Sequence, residues 1–198
     1  MDLLIIRHGQ SEADILNVIE GRADFPLTEF GHAQATQMAA WVNGYVKLNK
    51  IFASPLLRAK QTAEKLSAAT GIPITFDDNL MEWKNGLIAG LSREAAHEKY
   101  PKPVPYFPHT AMYEQESTIE FRARAELALS KIVNENPSDA KIAIFSHGGL
   151  IAKLFQSFLE LPMVSDVGIQ TGDTGIHHLR ISNDGKQVVF ANSLLHLQ

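Results

Sequence analysis

Two stretches of the chain are apolar without interruption, Leu3-Leu-Ile-Ile6 and Ile142-Ala-Ile-Phe145, and each is short. Unbroken runs of this length fit strands buried on both faces, the condition of a parallel sheet covered by helices. Residues 2 to 6 and Lys141 to Phe145 are therefore predicted strands. Ile51 to Ala53 and Ile74 to Phe76 add two more, and Ser182-Asn183-Asp184-Gly185 carries the turn of a hairpin that joins the last two strands.

Helical periodicity fills the intervals, with readable starts and stops. Thr28 caps a helix from Glu29 to about Val46, and Ser54-Pro55 offers an N-cap and a first-turn proline for one that Gly71 closes after Thr70. Ser117-Thr-Ile-Glu120 is a capping box opening a helix through about Asn134. Another follows Gly148-Gly149 to Glu160, before Pro162. Strands alternating with helices predict an α/β fold: a three-layer sandwich, with a mostly parallel sheet and helices on both faces. The stretch from about residue 80 to 117 breaks the rhythm. It holds PKPVPYFPH, several aromatics and one short helix from Ser92 to Tyr100. It is expected to form a loop-rich cap inserted into a single domain spanning 1–198, because a linker has little use for aromatics.

Composition narrows the function classes. With 22 acidic against 18 basic residues and a net charge of -4, nothing favours nucleic acid or an anionic membrane as partner, so any anion site must be a local cluster. Cysteine is absent, which excludes thiolate nucleophiles and cysteine metal sites. No window is apolar for long enough to span a bilayer, and no signal peptide is recognisable, so the cytoplasm is the expected location.

Candidate chemistry gathers at strand ends. Arg7-His8-Gly9 follows the first strand and His147-Gly148-Gly149 follows the buried strand near residue 145, while Arg58 falls in the first turns of the helix after the second strand. Ligands of open α/β sheets bind beyond the carboxyl ends of strands, and helix amino termini attract anions. Two buried strands that each end in histidine and glycine, with arginines nearby, point to a phosphate clamp.

RHGQS, SPLLRAKQT, LMEWKNGLIAG and SHGG, in this order and spacing, resemble the histidine phosphatase superfamily, also called phosphoglycerate mutase-like. Gly21, Asp24, Pro26-Leu27-Thr28, Gly31 and Glu116-Ser117 extend the resemblance over nearly the whole chain. It implies a metal-independent, cofactor-free phosphatase in which His8 becomes a covalent phosphohistidine. Arg7, Arg58, His147 and the Gly148 N–H would surround the phosphoryl oxygens, with Ser11 and Gly21 also at the phosphate site. Glu82 would protonate the leaving group and then activate water, which asks for a carboxyl whose proton affinity is raised by burial or by substrate charge. Gly86 and Gly90 reproduce the spacing after that acid, with Ala89 where an acidic residue is usual.

Many relatives carry an asparagine six residues after the nucleophile, where this chain has Asp14. Asp14 is expected to turn away or pair with a cation, and Asn17 to supply the amide. His177 and His178, adjacent in a late strand, point to opposite faces, so only one of them can line the site. The cap has Lys84, Arg93, Lys99 and Lys102 but no adjacent arginine pair for a substrate carboxylate, which favours hydrolysis of a small phosphorylated molecule over mutase-type transfer. A non-catalytic phosphate binder is the other alternative. Oligomeric state is not encoded legibly.

Overall fold

The computed structural model describes all of residues 1–198. Six strands, β1 (Asp2–Arg7), β2 (Lys50–Ala53), β3 (Ile74–Phe76), β4 (Lys141–Ser146), β5 (Ile176–Ser182) and β6 (Gly185–Ser193), form one sheet in the order β3-β2-β4-β1-β5-β6. The first four are parallel to one another, and β5 and β6 continue antiparallel at one edge. Helices α1 (Glu12–Leu16), α2 (Glu29–Tyr45), α3 (Leu57–Thr70), α4 (Arg93–Lys99), α5 (Thr118–Asn134) and α6 (Gly148–Phe158) complete the chain, and none is long and apolar enough to cross a membrane.

Strand pleating explains the unbroken apolar runs. Leu3 and Ile5 of β1, with Ile142 and Ile144 of β4, pack into one core with Phe121, Leu129, Leu150 and Leu154 from α5 and α6. Their neighbours Leu4, Ile6, Ala143 and Phe145 face the opposite core, against Met38 and Val42 of α2 and Ala63 and Leu66 of α3. Side chains alternate across a strand, so a strand covered on both faces needs every position apolar.

Most predicted caps are present. Thr28 accepts from Gly31 N–H, the Ser117–Glu120 box is complete, and Gly71 ends α3 at φ 74°. Ser54 is a correction. Helix α3 begins at Leu57 without a side-chain cap, because the Ser54 hydroxyl is buried and engaged with His147 across the sheet. Helix α1 was not anticipated; it opens on Ser11, whose capping box is closed by Asp14.

Candidate active site

Strand register creates the centre of the site. Arg7 of β1 lies opposite Ser146 of β4, so the next residue on each strand, His8 and His147, emerges at the same sheet end. Both are buried, with ring centroids 5.1 Å apart. Gly9 is needed for close approach: a Cβ there would stand 2.7 Å from the Gly31 carbonyl oxygen.

A carbonyl fixes the tautomer of the His8 ring. His8 Nδ1 lies 2.8 Å from the Gly9 carbonyl oxygen, which can only accept, so the proton is on Nδ1 and Nε2 carries a lone pair. Burial, with Arg58 and then Arg7 beside it, pushes the imidazole well below its usual range, so His8 is neutral. At His147, Nε2 lies 2.8 Å from the Ser54 hydroxyl, which accepts from Leu56 N–H at 3.3 Å and can either donate to the ring or accept from it. Burial, followed by Arg58, holds this ring neutral as well.

The arginines are held from behind. Arg58, fully buried on α3, donates from its Nη atoms to the carbonyls of Ala23 at 3.1 Å and Gly21 at 2.8 Å, and from Nε to His8 Nε2 at 3.2 Å. Gly21 thus enters the site through its carbonyl. Arg7 reaches the Thr171 carbonyl at 3.0 Å, Asp173 at 3.1 Å and Asp14 at 3.6 Å. Two nitrogens remain buried without any protein partner, Arg7 Nε and His147 Nδ1. Gly148 and Gly149 open α6 beside them, adding the partial positive charge of a helix amino terminus.

Glu82 closes the other side of this group. Its Oε1 accepts from Trp83 N–H at 2.8 Å and its Oε2 from Gly149 N–H at 2.9 Å. A Cβ on residue 149 would lie 2.5 Å from Oε1, so the second glycine of the SHGG motif makes room for the acid. Arg124 of α5, which sequence reasoning missed, donates to the carbonyls of Asn79, Met81 and Glu82 and pairs with Glu116 at 2.6 Å. It pins the loop that delivers Glu82. Gly86 and Gly90 both take positive φ, 55° and 82°, and a Cβ on Gly86 would collide with the Tyr113 carbonyl.

Other expected residues fall elsewhere. Asn17 is an exposed left-handed residue at φ 52° that ends α1, outside the residues that line the cavity. Asp14 does pair with a cation, Arg7, while accepting from the Ser11 N–H. The Ser11 hydroxyl also meets Glu20, so Ser11 acts within a side-chain network. Neither late histidine lines the cavity: His177 sits behind Arg7 through Thr171, and His178 contacts Tyr45 and Asp2 on the other sheet face. No group of three or more His, Asp or Glu converges as a metal-binding set.

A cavity of about 520 Å³ opens over the site, lined by Arg7, Asp14, Glu20, Gly21, Glu82, Arg93 and Gly149 among others. A second, of about 540 Å³, continues from it under the cap, sharing Ile19, Asn85 and Arg93 and adding Ile88, Tyr100, Met112 and Tyr113.

Residues 3–194 match the family model of the histidine phosphatase superfamily, branch 1. This chain belongs to the histidine phosphatase superfamily. The histidine phosphatase is 30% identical over 177 residues to the glucosyl-3-phosphoglycerate phosphatase of Mycobacterium tuberculosis, covering 82% of this chain and 77% of that protein. It is 27% identical over 189 residues to the probable phosphoglycerate mutase GpmB of Proteus mirabilis, covering 92% and 86%. A solved phosphoserine phosphatase of Entamoeba histolytica in complex with 3-phosphoglyceric acid superposes with a TM-score of 0.81 at 25% identity, covering 100% of this chain and 99% of that one.

Proposed function

We propose that this histidine phosphatase is a phosphomonoesterase that hydrolyses small organic phosphates through a covalent phosphohistidine on His8. The observation that carries the reading is a neutral, buried imidazole with its lone pair on Nε2, next to two buried nitrogens that have no partner, Arg7 Nε and His147 Nδ1. Buried polar groups are rarely left unpaired, and phosphoryl oxygens would accept from Arg7 Nε and from His147 Nδ1 when that nitrogen bears a proton.

In this reading Nε2 of His8 attacks phosphorus in line, and the bond to the leaving oxygen breaks as Glu82 gives that oxygen a proton. Arg7, Arg58, His147 and the N–H of Gly148 hold the three equatorial oxygens, where charge accumulates. The arriving phosphoryl charge favours protonation of His147. Water then enters on the side of Glu82, which takes its proton while the oxygen attacks phosphorus and the P–N bond breaks. Inorganic phosphate leaves and His8 is restored. The cap cavity would receive the organic part, with Arg93 at the boundary of the two cavities.

Release of nitrophenolate from 4-nitrophenyl phosphate tests the reading. Wild type is expected to turn over with EDTA present, and His8→Ala to lose at least about 10⁴-fold in kcat. No turnover by wild type across a broad pH range would favour a phosphate binder. Mutase-type transfer stays the second reading because GpmB-type relatives bear that name, and efficient interconversion of 3- and 2-phosphoglycerate would establish it.

A further inference from the structure

The site contains a carboxylate for which the reaction above has no use. Glu20 lies in the segment after α1, with a side chain only 16% exposed, and its Oε2 stands 3.7 Å from His8 Nε2 and 3.5 Å from Arg58 Nε. Its other oxygen accepts from the Ser11 hydroxyl. The oxyanion therefore sits against both the attacking nitrogen and a guanidinium of the clamp, which themselves touch, in the space an equatorial phosphoryl oxygen would take. Two anions cannot share that place without a proton between them.

The surroundings bear on where the proton goes. Burial pushes the Glu20 carboxyl up from its usual range and Asp14 adds to this, while Arg58, the Ser11 hydroxyl and Arg7 pull it down. The charged and titratable groups facing it are Arg58 from α3, Arg7 and His8 from the end of β1, Asp14 from α1, and Glu82 and Arg93 across the cavity. His147 lies beyond His8. Arg7 is already matched by Asp14 and Asp173, so the cations of the site are largely neutralised by the protein's own acids.

We propose that Glu20 occupies the phosphoryl subsite of the resting protein, and that phosphate enters only together with one proton taken up by the Glu20 carboxyl, which then donates a hydrogen bond to a phosphoryl oxygen. The proposal rests on the phosphoryl-pocket reading given above. Glu20 becomes a specificity-determining group: it couples oxyanion affinity to pH and penalises any fully charged anion at alkaline pH. Above the Glu20 transition, affinity falls by up to about tenfold for each pH unit, as required when binding carries a proton.

Sulfate is the probe, because it remains dianionic throughout and adds no titration of its own. Its competitive Ki against 4-nitrophenyl phosphate is measured for wild type and Glu20→Gln from about pH 5 to about pH 8.5, with Tm as a folding check. The ratio of wild-type to variant Ki is expected near one at the acid end and at least about tenfold at the alkaline end. A ratio that does not change with pH, or tighter binding to wild type throughout, overturns the proposal. Titration calorimetry of sulfate in two buffers of different ionisation enthalpy needs no turnover and is run on wild type and Glu20→Gln, because His147 also gains a proton as an oxyanion arrives. Wild type is expected to take up about one proton more than the variant near pH 7.5, and equal uptake overturns the proposal. If neither protein releases nitrophenolate, the catalytic reading fails alone and the calorimetry still decides on Glu20.

Discussion

The phosphoryl end of the site and the cavity beneath the cap adjoin each other but are built differently. At the phosphoryl end nearly every group is bonded from behind: His8 by Gly9, Arg58 by Gly21 and Ala23, His147 by Ser54, Glu82 by Gly149. Under the cap the lining mixes Ile88, Tyr100, Met112 and Tyr113 with Asn85, Arg93, His97, Lys102 and Gln115, the backbone is turns and one short helix, and Val104 of the lining is exposed. The difference teaches that reaction and selectivity sit on different material. Most groups that must be placed to a fraction of an ångström hang on strand ends and helix starts, Glu82 hangs on a loop pinned by Arg124, and groups that meet a variable organic part sit on loops without such a pin.

Four changes would break or sharpen that contrast. Gly149→Ala strikes the seam, since its methyl would overlap the Glu82 carboxylate. Hydrolysis of an alkyl phosphate should fall about 10³-fold and that of 4-nitrophenyl phosphate much less, because nitrophenolate leaves without help from an acid. Equal losses would separate Glu82 from leaving-group protonation.

His177 tests how far rigidity extends behind the site. Its Nδ1 accepts from Asn192 N–H and its Nε2 faces the Thr171 hydroxyl, and burial pushes the ring down to about 4. The unfolded chain binds a proton near pH 6.5, so the unfolded state protonates first as pH falls. Stability from neutral His177 is whole above about pH 6.5 and is lost on descent to about pH 4, by roughly 3 kcal/mol. Urea midpoints at neutral and acid pH should therefore fall further for wild type than for His177→Gln.

Arg124→Met removes the pin on the Glu82 loop while leaving the phosphoryl donors in place. A loss of about tenfold in kcat, with little change in inhibition by inorganic phosphate, is expected from kinetics. Tyr100→Ala, under the cap, should be mildest: KM for aromatic phosphates rises by about threefold and kcat is preserved. A large kcat effect there would erase the proposed division of labour.

The same division governs what could be read from sequence. Strand ends are legible because an apolar run that stops in Arg-His-Gly is a local pattern, and the SHGG run repeats it. Ser54 misled for a physical reason: its hydroxyl could cap a helix or hold an imidazole, and only the sheet order brings His147 within reach. Ser11 and Asp14 form a box with the usual spacing, hidden because the helix it opens is five residues long. Glu20 and Arg124 gave no local signal, since each matters through partners that the fold alone brings near. Asn17 was assigned from chemical type, yet its backbone φ, which no side-chain argument anticipates, turns it to solvent.

The pairing of β1 with β4 also bears on how the protein acquires its activity. The proposed nucleophile His8 and the histidine beside it, His147, are far apart along the chain, yet they become neighbours through one parallel pairing. Parallel pairings between distant segments close large loops and form slowly. A nascent chain that has not reached β4 has no competent centre, and return of turnover during refolding should track the cooperative step in which β1 and β4 pair.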